Sequence, residues 1–232
     1  MEASHFWFRG RSEILRACLR RFLPKTSGQL ILDAGCGTGA NFEMLCQFGK
    51  VLGVELHGDA CRYAVTKFPG RLLQGSLESM PLRDGCCSVV ALLDVLEHVD
   101  DQTGVLEELF RVLSPGGTLL LTVPAFRHLW SGHDVAHHHR RRYRAEELRR
   151  EIEGVGMQVV YLSYFNTHLY PLVAAARLLG RFRKERSVSD MQLPPAWLNQ
   201  LLYQIFRAER LWVGRCVSPL GVSLVALAKK PQ

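Results

Sequence analysis

Two groups of residues in this 232-residue chain combine types and spacing that suit chemistry. In the first, Asp33 precedes Gly35, Gly37 and Gly39, and Glu55 follows twenty residues after the first glycine. Alternate glycines remove side chains where a chain turns sharply and where a ligand must touch the backbone. The spacing is G-x-G-x-G, not the G-x-G-x-x-G of the dinucleotide fingerprint, and an acid placed like Glu55 can accept both hydroxyls of a ribose. The second group is Trp130-Ser131-Gly132-His133-Asp134 followed by His137 to Tyr143, with four histidines, an acid and three arginines. His133 or His139 with Asp134 would form an acid–base pair able to take a proton. The arginines would hold a negative group on whatever molecule loses it. Histidine and carboxylate are also ordinary metal ligands, but this reading assigns no metal.

The elements around these residues alternate strand and helix. Leu30-Ile31-Leu32 is a short unbroken apolar run that suits a strand buried on both faces of a parallel sheet. After the glycine turn, Asn41 to Gln47 has helical spacing, and a second strand ends at Glu55. Helices are predicted at Ser12–Phe22, Gly58–Lys67, Gln102–Leu113 and Ala145–Glu153, with further strands starting at Arg71 and at Cys87–Asp94, Thr118–Pro124, Met157–Phe165 and Gly221–Lys229. The 55 residues from Asn166 to Leu220 are too many for a structureless loop, and their apolar spacing predicts helices at His168–Phe182 and Trp197–Val217. The aromatic opening, His5-Phe6-Trp7-Phe8, would fold over a ligand, since termini fray unless tied down.

Several of these stretches resemble one family. D-A-G-C-G-T-G at 33–39 and V-E-L at 54–56 are similar to the first two motifs of class I S-adenosylmethionine-dependent methyltransferases. D-V-L-E-H-V-D at 94–100 and L-S-P-G-G-T-L-L-L at 113–121 resemble later segments of the same family. The opening H-F-W-F-R-G-R and the W-S-G-H-D…H-R-R-R-Y stretch resemble a bacterial group within it. The resemblance implies an α/β Rossmann-like sheet of seven strands, mostly parallel with the last antiparallel, flanked by helices. It implies one domain, 1–232: a lid segment at 1–24, a cofactor-binding core at 25–165, a helical substrate cap at 166–220 and the last strand at 221–232. S-adenosylmethionine would lie on Asp33, Gly35, Cys36, Gly37, Gly39, Asn41, Glu55, Leu56, Ser76, Leu77, Asp94 and Val95, with Trp7 and Arg9 (or Arg11) closing over it. Ser76 stands where the family has an adenine-binding acid, and Leu77 would pack on the adenine face. His98, His133, Asp134 and His139 would be catalytic, and Trp130, Arg141 and Tyr143 would contact the acceptor.

The implied function is methyl transfer to a small-molecule acceptor, apolar or linked to a lipid or glycan, with His/Asp-assisted proton removal. Two rivals stand beside it: an RNA methyltransferase using the basic 137–150 stretch, and a non-catalytic S-adenosylmethionine-binding module. The formal charge of +7 gathers at 137–144, Arg149-Arg150 and 181–186, which permits nucleic acid but equally an anionic membrane. Apolar helices with basic flanks at 166–220 suit a greasy acceptor or contact with a membrane surface. No apolar h-region opens the chain, no run spans a bilayer, and seven scattered cysteines read as reduced thiols. The expectation is a cytoplasmic protein with peripheral contact at the inner membrane face.

Overall fold

A computed structural model describes residues 4–24, 28–182 and 193–232. Residues 183–186 of the basic run at 181–186, and residues 187–192 after it, lie outside the described residues. Seven strands form one sheet: β1 (Leu30–Ala34), β2 (Lys50–Glu55), β3 (Leu72–Gln74), β4 (Cys87–Leu93), β5 (Leu113–Pro124), β6 (Gln158–Phe165) and β7 (Ser223–Lys229). Their order is β3-β2-β1-β4-β5-β7-β6. β1 to β5 run parallel, and β7 is antiparallel to both β5 and β6. The chain winds outward from β1 to β3, then restarts at β4 on the other side of β1. Such a reversal opens a crevice at the carboxyl ends of the strands, where open α/β sheets bind ligands.

Each face of the sheet carries its own core. One is closed by α4 (Gln102–Val112) and α6 (Ala145–Gly154), through Val105, Leu106, Leu109, Leu148 and Ile152. The other is closed by α1 (Phe6–Phe22) and α8 (Ala196–Ala208), through Ile14, Leu15, Leu19 and Phe206. α1 begins at Phe6, six residues ahead of the sequence expectation. Its start is set by His5, whose Nδ1 accepts from the Trp7 N–H at 3.2 Å. Gly10, a poor helix former, is tolerated because α8 packs there: a Cβ would stand 2.4 Å from the Phe206 ring. Asn199 on α8 ties the two helices, accepting from Phe6 N at 2.8 Å and donating to Ser4 O at 2.9 Å.

Two other elements are shorter than their sequence patterns. The helix after the glycine turn is only Phe42–Leu45, and the last helix of the 166–220 stretch stops at Ala208. There a 3-10 turn holds Glu209, fully buried, whose carboxylate accepts from the backbone N–H groups of Asn166, Thr167 and His168 at 2.6–2.9 Å. That contact pins the start of the segment to its end. β5 in turn starts earlier, at Leu113, because Leu113 already pairs with Cys87.

Candidate functional site

The glycine turn leaves β1 with Gly35, Gly37 and Gly39 all at positive φ, between 54° and 81°. At Gly35 a Cβ would meet Val95 at 2.8 Å, so the turn lies directly on the segment after β4. Over Gly37 a Cβ would meet nothing within 4 Å, and the space above it is open. Glu55, at the end of β2, accepts from Gly37 N at 2.9 Å through one oxygen and from His57 N at 2.8 Å through the other. Each carboxylate oxygen keeps a further lone pair. The acid is thereby aimed before any ligand arrives.

Beside this turn, Asp94 closes β4 in a left-handed conformation, φ 56°. Its Oδ2 pairs with Arg11 at 2.7 Å, and Arg11, nearly buried, also donates to Asn41 Oδ1 and Thr122 Oγ1. Asp33 lies buried beneath, with neither oxygen partnered among the described residues. Burial pushes its carboxyl up to about 7, against the pull of Arg11 and with a push from Glu55.

The histidine-rich loop reaches the same end of the sheet because it is stitched there on both sides. Tyr143 N donates to Pro124 O and Phe126 N to Tyr143 O, while Arg140 N donates to the Glu97 carbonyl. Within the loop, the fully buried Asp134 takes a two-pronged bond from Arg142 (2.7 and 3.1 Å), one from His139 Nδ1 (2.9 Å) and one from Ser131 N (2.8 Å). Burial alone would raise its carboxyl, but His139 and Arg142 outweigh that and hold it well below the usual range. Of the two histidines the sequence offers for Asp134, His139 makes the hydrogen bond at 2.9 Å. His98 stands edge-on to His139, ring centres 4.8 Å apart. Burial, then His139, keeps the His98 imidazole below its ordinary pKa.

One cavity of about 510 Å³ joins the glycine turn at 35–37 to the histidine-rich loop; Asp33, Glu55 and Val95 stand behind its wall and are not among its lining residues. Gly35, Cys36, Gly37, Asn41, Asp94, Trp7 and Arg11 line one end, and Glu97, His98, His133, His139 and Arg142 the other. Phe6, Phe8, Leu169, Val173 and Ala176 supply apolar wall from α1 and α7 (Tyr170–Phe182). The volume falls within the range of small-molecule sites, roughly 300–1,000 Å³.

Other sequence-predicted residues stand outside this cavity. Arg9 lies over the Tyr203 ring at 3.9 Å, two residues round the helix from the face that carries Trp7 and Arg11. Tyr143 is core, its hydroxyl donating to Leu96 O at 3.3 Å, and Arg141 bonds Gln102 and Val99 O. Trp130 is not among the lining residues. Ser76 spends its hydroxyl on Glu78 N within its own turn, and Leu77 packs on the α4 core. Leu56 is exposed, and Gly39 sits against Phe68. The α7 wall was missed, and Arg142, one of the three arginines expected on the acceptor, is spent on Asp134. Arg11 had a usable signal: it is four residues after Trp7, on one face of a helix that starts at Phe6.

A family model described as "Methyltransferase domain" matches residues 32–121. A probable S-adenosylmethionine-dependent methyltransferase of Mycolicibacterium smegmatis is 30% identical over 159 residues, which cover 67% of this chain. The chain spans 60% of that relative's length. A putative methyltransferase from Bacillus halodurans superposes with TM-score 0.64 at 20% identity, over 95% of this chain and 100% of that one. Haemonchus contortus phosphoethanolamine N-methyltransferase 2, solved in complex with S-adenosylmethionine, gives 0.61 at 18% identity, over 93% and 52%. The chain belongs to the class I S-adenosylmethionine-dependent methyltransferases. The two structural likenesses speak for the shared Rossmann-like fold. S-adenosylmethionine is the cofactor of this family, and the residues present fit it: open space over Gly37, a pre-aimed acid at Glu55, and a buried arginine at the cleft.

Proposed function

We propose that this methyltransferase transfers the cofactor's methyl group to a small acceptor with an apolar body, carried on a lipid or glycan, inside the 510 Å³ cleft. One observation carries the reading: the glycine turn and the His139–Asp134 pair face each other across a single cavity with apolar walls. Glu55 would grip the ribose, Arg11 the cofactor's carboxylate, and the backbone at 35–37 would run beneath the bound molecule. The bound cofactor supplies an already activated methyl on its sulfonium. What remains for the chain is alignment, worth roughly 7–11 kcal/mol in favourable cases, and help for the departing proton, worth about 10²–10⁴-fold. The Asp134-oriented His139, with His98 and His133 beside it, is suited to that second task.

The basic stretch speaks against an RNA substrate. Arg142 is spent on buried Asp134, Arg141 on Gln102 and Val99 O, and Arg140 pairs with Asp100. No helix of the described residues is long and apolar enough to cross a membrane. The exposed Leu172, Trp197 and Leu201 support a peripheral contact through the 166–220 segment. A direct test measures S-adenosylhomocysteine release with apolar hydroxylated or carboxylated acceptors. His139→Ala should slow release about 10²–10⁴-fold while calorimetric affinity for S-adenosylmethionine holds. Equal loss of cofactor affinity would mean that His139 belongs to the cofactor end.

A further inference from the structure

We propose that Glu97, His98 and His139 hold a divalent transition-metal ion at the acceptor end of the cleft, and that this ion receives the acceptor's oxygen. Its second half rests on the methyl-transfer reading above; the binding of the ion does not. The three side chains each offer a ligand atom, and these atoms lie within 4.8 Å of one another. Glu97 is 1% exposed, and neither of its oxygens has a hydrogen-bond partner among the described residues, yet it lines the cavity. Buried polar groups are nearly always partnered, so an orphaned carboxylate facing a cavity calls for a guest.

The surroundings narrow what that guest is. His139 donates Nδ1–H to Asp134, itself clamped by Arg142, which leaves Nε2 as the ligand atom. A carboxylate behind a histidine is the arrangement that orients imidazoles on metals. Arg11 pairs with Asp94 at 2.7 Å, and Asp134 takes both Arg142 at 2.7 Å and Arg177 at 3.8 Å, so among the described residues each nearby arginine is committed to another acid and Glu97 has no ion-pair partner. Two imidazoles and one carboxylate suit Zn²⁺, Co²⁺ or Mn²⁺ better than Mg²⁺ or Ca²⁺, which favour oxygen ligands throughout. Three protein ligands leave a position open for an oxygen of the acceptor, as in metal sites that act on substrates. A hydroxyl bound there loses its proton more readily. With the His98 and His139 nitrogens on the ion, the proton passes to His133 or to solvent, and His139 helps its departure through the ion.

The probe is Co²⁺, titrated into chelator-treated full-length protein and read by its visible absorption, with calorimetric S-adenosylmethionine binding measured on the same samples. One equivalent of Co²⁺ is expected, displaced by Zn²⁺. Glu97→Gln and His98→Ala should each weaken Co²⁺ binding by about tenfold or more, while the double variant His133→Ala/His137→Ala keeps the wild-type affinity. X-ray absorption of the Zn²⁺-loaded wild type should count two imidazoles, which needs no variant to fold. Absence of Co²⁺ uptake by protein that binds S-adenosylmethionine, unchanged affinity in Glu97→Gln, or a four-imidazole shell would overturn the site. Co²⁺ uptake without S-adenosylmethionine binding would keep the ion and sink the methyl-transfer reading instead.

Discussion

Glu55 and Asp33 are both acids beside the glycine turn, but their surroundings give them opposite behaviour. Glu55 accepts two backbone N–H groups, so Glu55→Ala should weaken calorimetric S-adenosylmethionine affinity by at least about tenfold, since a hydrogen bond to a charged group contributes roughly 1.5–3 kcal/mol. Undiminished affinity would remove Glu55 from the ribose. Asp33 has no hydrogen-bond partner among the described residues, and its folded-state pKa of about 7 lies above the unfolded value of about 3.9. Between those values the folded chain keeps a proton that the unfolded chain has released. Its contribution to stability is therefore complete below about pH 4 and lost as pH rises to about 7. Asp33→Asn should narrow the drop in unfolding free energy between pH 5 and pH 8 by up to about 3 kcal/mol, measured in urea. Glu97, raised by burial and then by Asp94, adds a drop of the same sign that this variant leaves in place. At this scale the acids and glycines were legible because their spacing is local. The hydrogen bond from His139 to Asp134 was not, since it depends on how a five-residue helix turns the loop.

The α1–α8 contact decides how the cleft is roofed. Gly10→Ala adds a Cβ that would sit 2.4 Å from the buried Phe206 ring. Helix propensity favours alanine by about 1 kcal/mol, whereas overpacking a tight contact costs about 1–3 kcal/mol. The clash should win because Phe206 is fully enclosed and cannot swing aside. Net destabilisation of about 1–2 kcal/mol in denaturant titration is expected, recovered in part by Phe206→Leu. A stabilised Gly10→Ala would show that the two helices separate easily. The sequence periodicity found both helices but misjudged where α1 starts and where α8 stops. The limits are tertiary: His5 caps α1 from outside the apolar pattern, and Glu209 is occupied by a distant loop. For the same reason Arg9 looked equivalent to Arg11 until the helix start was known.

Across the whole molecule, the sheet was readable from the chain because each strand carries its own signal, an apolar run ending in a turn. The cavity carries none, being assembled from α1, the ends of five strands, the loop at 133–142 and α7. The outer surface is a separate matter: Trp197 is 70% exposed and Leu201 50%, four residues apart on one face of α8. If that face meets a membrane, anionic vesicles should co-sediment the protein, and Trp197→Ala/Leu201→Ala should release it without altering S-adenosylmethionine affinity. Vesicle binding that survives the double variant would move the contact elsewhere. The bond from Phe6 to Asn199 spans 193 residues. During synthesis, then, α1 leaves the ribosome long before α8 and waits, the side that meets Asn199 and Phe206 uncovered, until the stretch between the two helices has followed. A chaperone that shields early-exposed helices would find its substrate here, and the nascent chain would stay open to proteases until α8 arrives.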